Sequence, residues 1–174
     1  MKQSPEKRVG AGMIAAAWIV VLVLLTAYFS GWLEHQENPN RAPVTMYAED
    51  GAREVALRRN RQGHYLATGA INGQEVEFLL DTGATTMSIS SDLAISLDLP
   101  VGPPSLSWTA NGRIITYDTW LDEVRLGDIR LQDVRATINP NTRMEEVLLG
   151  MSFLKRVEFA QRGDILTLRQ SGRE

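Results

Sequence analysis

The chain has 174 residues, 18 Lys and Arg against 21 Asp and Glu, a net charge of −3, no Cys, and two His, His35 and His64. The lack of Cys excludes disulfides and thiolate metal sites, and two His cannot build a His-rich centre, so neither metal nor cofactor is expected. With Lys2, Glu6, Lys7 and Arg8 set aside, residues 34–174 carry 15 basic and 20 acidic side chains, a net −5 that repels phosphate backbones and argues against a nucleic-acid partner.

Gly10 to Leu33 holds no charged residue, and its centre, Ile14 to Phe29, is dense in apolar side chains. About 20 such residues span a hydrocarbon core as a helix. Tyr28 and Trp32 lie towards its far end, where amphipathic rings favour the membrane interface. Lys2, Lys7 and Arg8 precede the run; Glu34 and Glu37 follow it. The positive-inside rule then makes residues 1–9 a cytoplasmic tail, 10–33 a transmembrane anchor, and puts the rest beyond the membrane. A cleavable signal peptide is the rival. The run is long for one, and neither Ala27-Tyr28-Phe29 nor Ser30-Gly31-Trp32 offers a small-x-small cleavage site. A buried core helix fits less well, because the run is apolar all round.

Residues 34–54 mix Glu, Asn, Pro, Arg and Gly without periodicity. Asn38-Pro39-Asn40 and Ala42-Pro43 break helices, so the stretch reads as a linker. Residues 55–170 read as one domain rich in strands, with Glu54 to Leu57 as its first. Asn72-Gly73 joins two strand-like runs, 63–71 and 74–80, and predicts a hairpin. In the second run Val76, Phe78 and Leu80 share a face. His64 reads as an exposed or hydrogen-bonded strand residue rather than a general base. Met87 to Ser90 resumes a strand. Ser90, Ser91 and Asp92 then offer caps for a short helix, Leu93 to Leu97, that stops before Pro100. A second Asn-Gly hairpin runs from Leu106 to Tyr117. Alternating strands 120–126 and 129–138 flank Gly127-Asp128, and their charges read as a solvated sheet face. Val147 to Leu149 is an apolar run ending at Gly150, and residues 157–168 close the chain as a hairpin around Arg162-Gly163-Asp164.

The most informative stretch is Phe78-Leu79-Leu80-Asp81-Thr82-Gly83-Ala84-Thr85-Thr86. A strand ends on an acidic residue, and a small, turn-prone segment follows. A sheet that delivers one carboxylate to a fixed place in a cleft has this pattern. Gly83 permits a backbone that a Cβ would hinder, and Thr82 can hydrogen-bond backbone or carboxylate. Apolar-apolar-Asp-Thr-Gly-Ala resembles the active-site loop of aspartic proteases, and Ala84 makes it retropepsin-like. Leu148-Leu149-Gly150-Met151-Ser152-Phe153-Leu154 resembles the element that lies under that loop. Thr109-Ala110-Asn111-Gly112 stands where the family has its flap, and is similar to bacterial retropepsin-like proteins. It does not match the Gly-rich flap tip of viral enzymes, so no individual flap contacts are carried over. The resemblance covers roughly residues 55–170.

That resemblance implies an all-β, single-lobe acid-protease barrel with one or two short helices, preceded by one N-terminal transmembrane helix. It implies a bacterial membrane-anchored retropepsin-like aspartic protease, single-pass in the cell inner membrane, with its C-terminal domain on the periplasmic or extracytoplasmic side. Asp81, Thr82 and Gly83 would be catalytic, and Ala84, Leu148, Leu149 and Gly150 would support them. The chemistry needs two carboxylates sharing a proton. This chain has one Asp-Thr-Gly, in a domain about half the size of a two-lobed enzyme, and Asp118-Thr119 is followed by Trp120. A homodimer acting on a protein or peptide substrate is therefore expected, with Thr82 tying the loops together and the Gly83 amide bonding the carboxylate. An aspartyl-phosphate site would want a second acidic residue in the local motif, and none is there. The alternative of a different class is a membrane-tethered module of the same fold that dimerises or binds peptides without cutting them.

Overall fold

A computed structural model of the chain describes residues 5–109 and 112–172. The contacts divide into two units at Gln36 and Glu37. The first consists of helix α1, Pro5–Glu37, 33 residues long, whose last residue opens the second unit. It extends past both ends of the apolar run for local reasons. Pro5 suits a first helical turn, where its missing N–H is no loss, and the Asn38-Pro39 step ends the helix. Gly12–Phe29 has a mean hydropathy of 2.3 and is long and apolar enough to cross a membrane. At about 1.5 Å per residue these 18 residues reach roughly 27 Å, close to the hydrocarbon thickness. The large apolar side chains described from Met13 to Phe29 are exposed. Within this stretch the Thr26 hydroxyl donates to Leu22 O at 2.8 Å and so needs no outside partner.

The second unit is built of strands. Among its described residues they form two sheets. The smaller joins the ends of the domain: β1 (Thr45–Tyr47), β2 (Arg53–Arg58), β11 (Ile165–Gln170) and β10 (Glu158–Arg162), in that order, all antiparallel. The larger holds β3 (Leu66–Ile71), β4 (Gln74–Leu80), β9 (Val147–Leu149), β5 (Met87–Ser90), β8 (Ile129–Asn139), β7 (Gly112–Leu126) and β6 (Pro104–Thr109). Pairing of β3 with β7 through Ala70↔Arg125 and Ile71↔Val124 closes six of these strands into a barrel. Short helices α2 (Ser91–Ser96) and α3 (Met151–Leu154) complete it. Ser90 caps α2, its hydroxyl accepting from Leu93 N at 3.4 Å.

The turns follow from residue chemistry. Asn72 and Gly73 take φ of 50° and 82°, the left-handed pair a tight hairpin wants, and they set the β3–β4 register that ends in Leu66↔Leu79. Val76 and Phe78 face inward, with Leu80 half-buried behind them. Phe78, Ile71, Met87, Ile89, Leu121, Leu126, Leu149 and Phe153 meet in one core, none more than 2% exposed. Burial of each stabilises the fold by about 2 kcal/mol.

Two stretches differ from the sequence expectation. Residues 112–126 form one strand, not two, since no Gly or Pro interrupts Arg113 to Leu126 and Asp118 is accommodated within the strand by Arg135. The stretch expected as a linker carries structure despite its composition. Asn38 is fully buried and donates from Nδ2 to Glu77 Oε1 (2.7 Å) and Thr68 Oγ1 (3.1 Å). Asn40 mimics a strand residue. Its Oδ1 accepts from Arg58 N at 2.7 Å, and its Nδ2 donates to Arg58 O and Leu66 O at 2.9 and 2.7 Å. Residues that break helices here satisfy backbone groups at the edge of the domain.

Candidate active site

Sheet order brings the two diagnostic stretches together. β9 lies between β4 and β5, parallel to β4 through Leu79↔Leu148 and antiparallel to β5 through Ser88↔Leu148. The chain from Leu80 to Met87 must therefore pass over the end of β9, where Gly150 stands. Asp81 N donates to Leu149 O at 3.2 Å, and Met151 N donates to Ala84 O at 2.8 Å. A Cβ on Gly150 would lie 2.3 Å from Thr86 O and 2.8 Å from Ala84 O, so only glycine allows this crossing. Leu149 is fully buried beneath it.

The loop holds its carboxylate from below. Gly83 N donates to Asp81 Oδ1 at 2.8 Å, and Ala84 N donates to Asp81 O at 3.3 Å. Thr86 Oγ1 lies 3.3 Å from Thr137 Oγ1, which also contacts Met87 O at 3.2 Å. Ser152 Oγ accepts from Met87 N at 2.9 Å. Every residue from Asp81 to Met87 is thus tied to the sheet beneath except Thr82, Gly83 and Thr85, which are exposed. Thr82 makes no side-chain hydrogen bond among the described residues.

Residues 67–156 match the family described as "gag-polyprotein putative aspartyl protease". The chain belongs to that family. The matched span runs from β3 through α3 and so takes in the Asp81 loop, the β6–β7 hairpin and Gly150. The chain is also 33% identical over 178 residues to an uncharacterized protein in cobV 5'region of Sinorhizobium sp, covering 93% of this chain and 75% of that one. Its fold matches a retropepsin-like aspartic protease from Rickettsia conorii with a TM-score of 0.58 and 27% identity, over 68% of this chain and 92% of that one. The barrel is retropepsin-like, and the Asp81 loop over Gly150 falls inside the matched span.

In this aspartyl-protease domain the loop opens on a cleft of about 660 Å³. Asp81, Gly83, Ala84 and Leu148 line it on one side. The β6–β7 hairpin lines the other through Leu106, Trp108, Ile114 and Thr116. Thr109 pairs with Gly112, whose φ of +110° suits glycine at a hairpin end; Ala110 and Asn111 lie outside the described residues. Hydroxyls brace the hairpin's inner face, with Thr116 Oγ1 2.7 Å from Ser107 Oγ and 3.1 Å from Ser105 Oγ. Alternation puts Leu106, Trp108 and Ile115 together on the hairpin's second face, all exposed; Leu106 and Trp108 still reach the cleft rim, and the Arg113 guanidinium lies 5.3 Å from the Trp108 ring.

Sequence reasoning missed one feature of the cleft. Arg135 reads as a solvated charge, yet it lines the cleft with Asp118, and its Nη2 donates to both carboxylate oxygens at 3.1 Å. Alternation along β8 was the available signal, since it puts Arg135 on the same face as Thr137. What no single strand reveals is the partner across the sheet. Asp118 is the second acidic residue lining the cleft, and it is held by Arg135 and by Ser105 Oγ at 3.3 Å. His64 does not line the cleft; it is exposed, and its backbone N–H donates to Asn60 Oδ1.

Proposed function

We propose that the chain is a membrane-anchored aspartic endopeptidase whose catalytic pair forms between two copies, each supplying Asp81. One observation carries this reading. Among the described residues, Asp81 is the one cleft-lining carboxylate without an ion-pair partner, because Asp118 is engaged by Arg135. Like charges brought together by a two-fold axis cannot both ionise, so the pair holds one proton. The ionised member takes a proton from water, and the water oxygen attacks the scissile carbonyl carbon. The protonated member gives its proton to the carbonyl oxygen. Collapse of the tetrahedral adduct returns a proton to the departing nitrogen and breaks the C–N bond. Gly83 N–H would steady the ionised carboxylate. Thr82, exposed and without an internal hydrogen bond, would bridge the two loops across the axis.

The helix α1 supports the anchor. Residues 10–33 would span the inner membrane with the basic residues 2–8 inside and the barrel on the far side. Confinement to one plane raises the effective concentration of protomers and so favours the dimer.

The test is cleavage of a peptide library by the full chain beside Asp81→Asn, with products read by mass spectrometry. Wild type should cut peptides internally, and Asp81→Asn should be slower by about a thousandfold or more, since Asn cannot exchange the proton. Equal cleavage by both would contradict the reading. Peptide binding without cleavage by either would instead identify a non-catalytic module of the same fold.

A further inference from the structure

The cleft is lined by more than the Asp81 loop, and its far wall is charged. Strand register defines a row across the sheet: Leu148 on β9, Ser88 on β5, Thr137 on β8 and Asp118 on β7 are successive cross-strand partners. All four line the cleft. Three strand spacings separate the ends of the row, roughly 14 Å. An extended peptide advances about 3.3 Å per residue, so about four residues cover that distance.

Arg135 stands at the far end, two residues from Thr137 on the same face of β8, and is diagonal to Asp118. Its side chain is 50% exposed, against 23% for Asp118. A guanidinium has five N–H groups. The two on Nη2 serve Asp118. Those on Nε and Nη1 have no partner among the described residues, although the side chain is fixed by the ion pair. Asp118 has little left to offer a ligand, since Oδ1 also accepts from Ser105. The pair therefore presents oriented donors to the cleft, and what oriented guanidinium donors bind best is a carboxylate.

We propose that Arg135, positioned by Asp118, forms a subsite for an acidic side chain of the substrate, three to five residues from the scissile bond. The inference deepens the peptidase reading and rests on it. In a two-fold assembly the same subsite recurs on both flanks of the cut.

The experiment uses peptides capped at both ends, so that side chains alone carry carboxylates. One cleavable bond is kept constant, and Glu, Gln, Ala or Lys is placed at each position from the second to the sixth on either side. With the full chain, Glu at one of the third to fifth positions should raise kcat/KM about tenfold over Ala, a modest charge-assisted hydrogen bond at a half-exposed site, and Lys should lower it. Arg135→Gln should bring the Glu-to-Ala ratio close to one, and Arg135→Lys should keep part of it. Asp118→Asn should raise the ratio, because it removes the competing carboxylate. An ion pair that only braces the sheet predicts something else: Arg135→Gln and Asp118→Asn should then lose activity together, with the ratio unchanged. Anisotropy titrations of the same labelled peptides against Asp81→Asn separate the subsite from the chemistry. Tighter binding of the Glu peptides with no cleavage by wild type would end the peptidase reading and keep the subsite. Cleavage or binding indifferent to Glu at every position, or a preference that survives Arg135→Gln, would overturn the subsite. Peptides neither bound nor cut would remove both.

Discussion

At Gly150 a missing methyl group decides whether the Asp81 loop can cross β9. A Cβ there meets backbone atoms, Thr86 O at 2.3 Å and Thr86 C at 2.7 Å, rather than the tip of a movable side chain. Gly150→Ala must push the loop off the strand. It should destabilise the domain by about 3 kcal/mol in urea titrations and displace Asp81 enough to remove activity. Gly73→Ala is a useful contrast. Nothing lies within 4 Å of its Cβ, but φ is +82°, so only backbone strain of about 1 kcal/mol is expected, without an effect on the cleft. A Gly150→Ala protein as stable as wild type would show that the crossing is not close.

The same scale separates what was legible from what was not. Asp81-Thr82-Gly83 is contiguous, and its strand-then-turn chemistry is local, so sequence locates it. Leu148-Leu149-Gly150 is likewise local. Asp118 and Arg135 meet only through the β7–β8 register, which depends on the turn at Gly127 and Asp128 and on the whole length of both strands. A side chain whose meaning depends on a partner 17 residues away reads as an ordinary surface charge.

At the scale of elements, the domain begins earlier than its periodicity suggests. Asn38 and Asn40 carry no hydrophobic signal, yet they fill backbone and side-chain hydrogen-bond positions on β2, β3 and β4. Asn40→Ala leaves Leu66 O and the backbone N–H and C=O of Arg58 without that partner. It should cost about 3 kcal/mol, read as a shift in urea midpoint at constant slope. A domain cut to begin at residue 55 also loses β1 and the start of β2, and should unfold well before one that begins at residue 37. Equal midpoints for the two would show that residues 37–54 are a passive tether. The strands and hairpins themselves were largely readable, because alternation and Asn-Gly turns are local. The union of two strands into β7 was not, since nothing local marks a strand that continues through Asp118.

At the scale of the whole molecule, the chain belongs to the aspartyl-protease family, with a retropepsin-like barrel and an apolar N-terminal helix. The apolar helix and its basic flank predict that protease added to intact spheroplasts digests residues 34–174. Protection until the membrane is lysed would reverse the orientation. The proposed mechanism stands on assembly, since it needs a second Asp81 from a partner copy. Specific activity of the domain from residue 37 onward should fall on dilution and level off at high concentration, in step with the dimer fraction measured by sedimentation on the same samples. Excess Asp81→Asn mixed with wild type should inhibit beyond simple dilution, because a mixed dimer has one ionisable aspartate. Activity that stays constant down to concentrations where sedimentation finds only monomer would contradict a site shared between two copies.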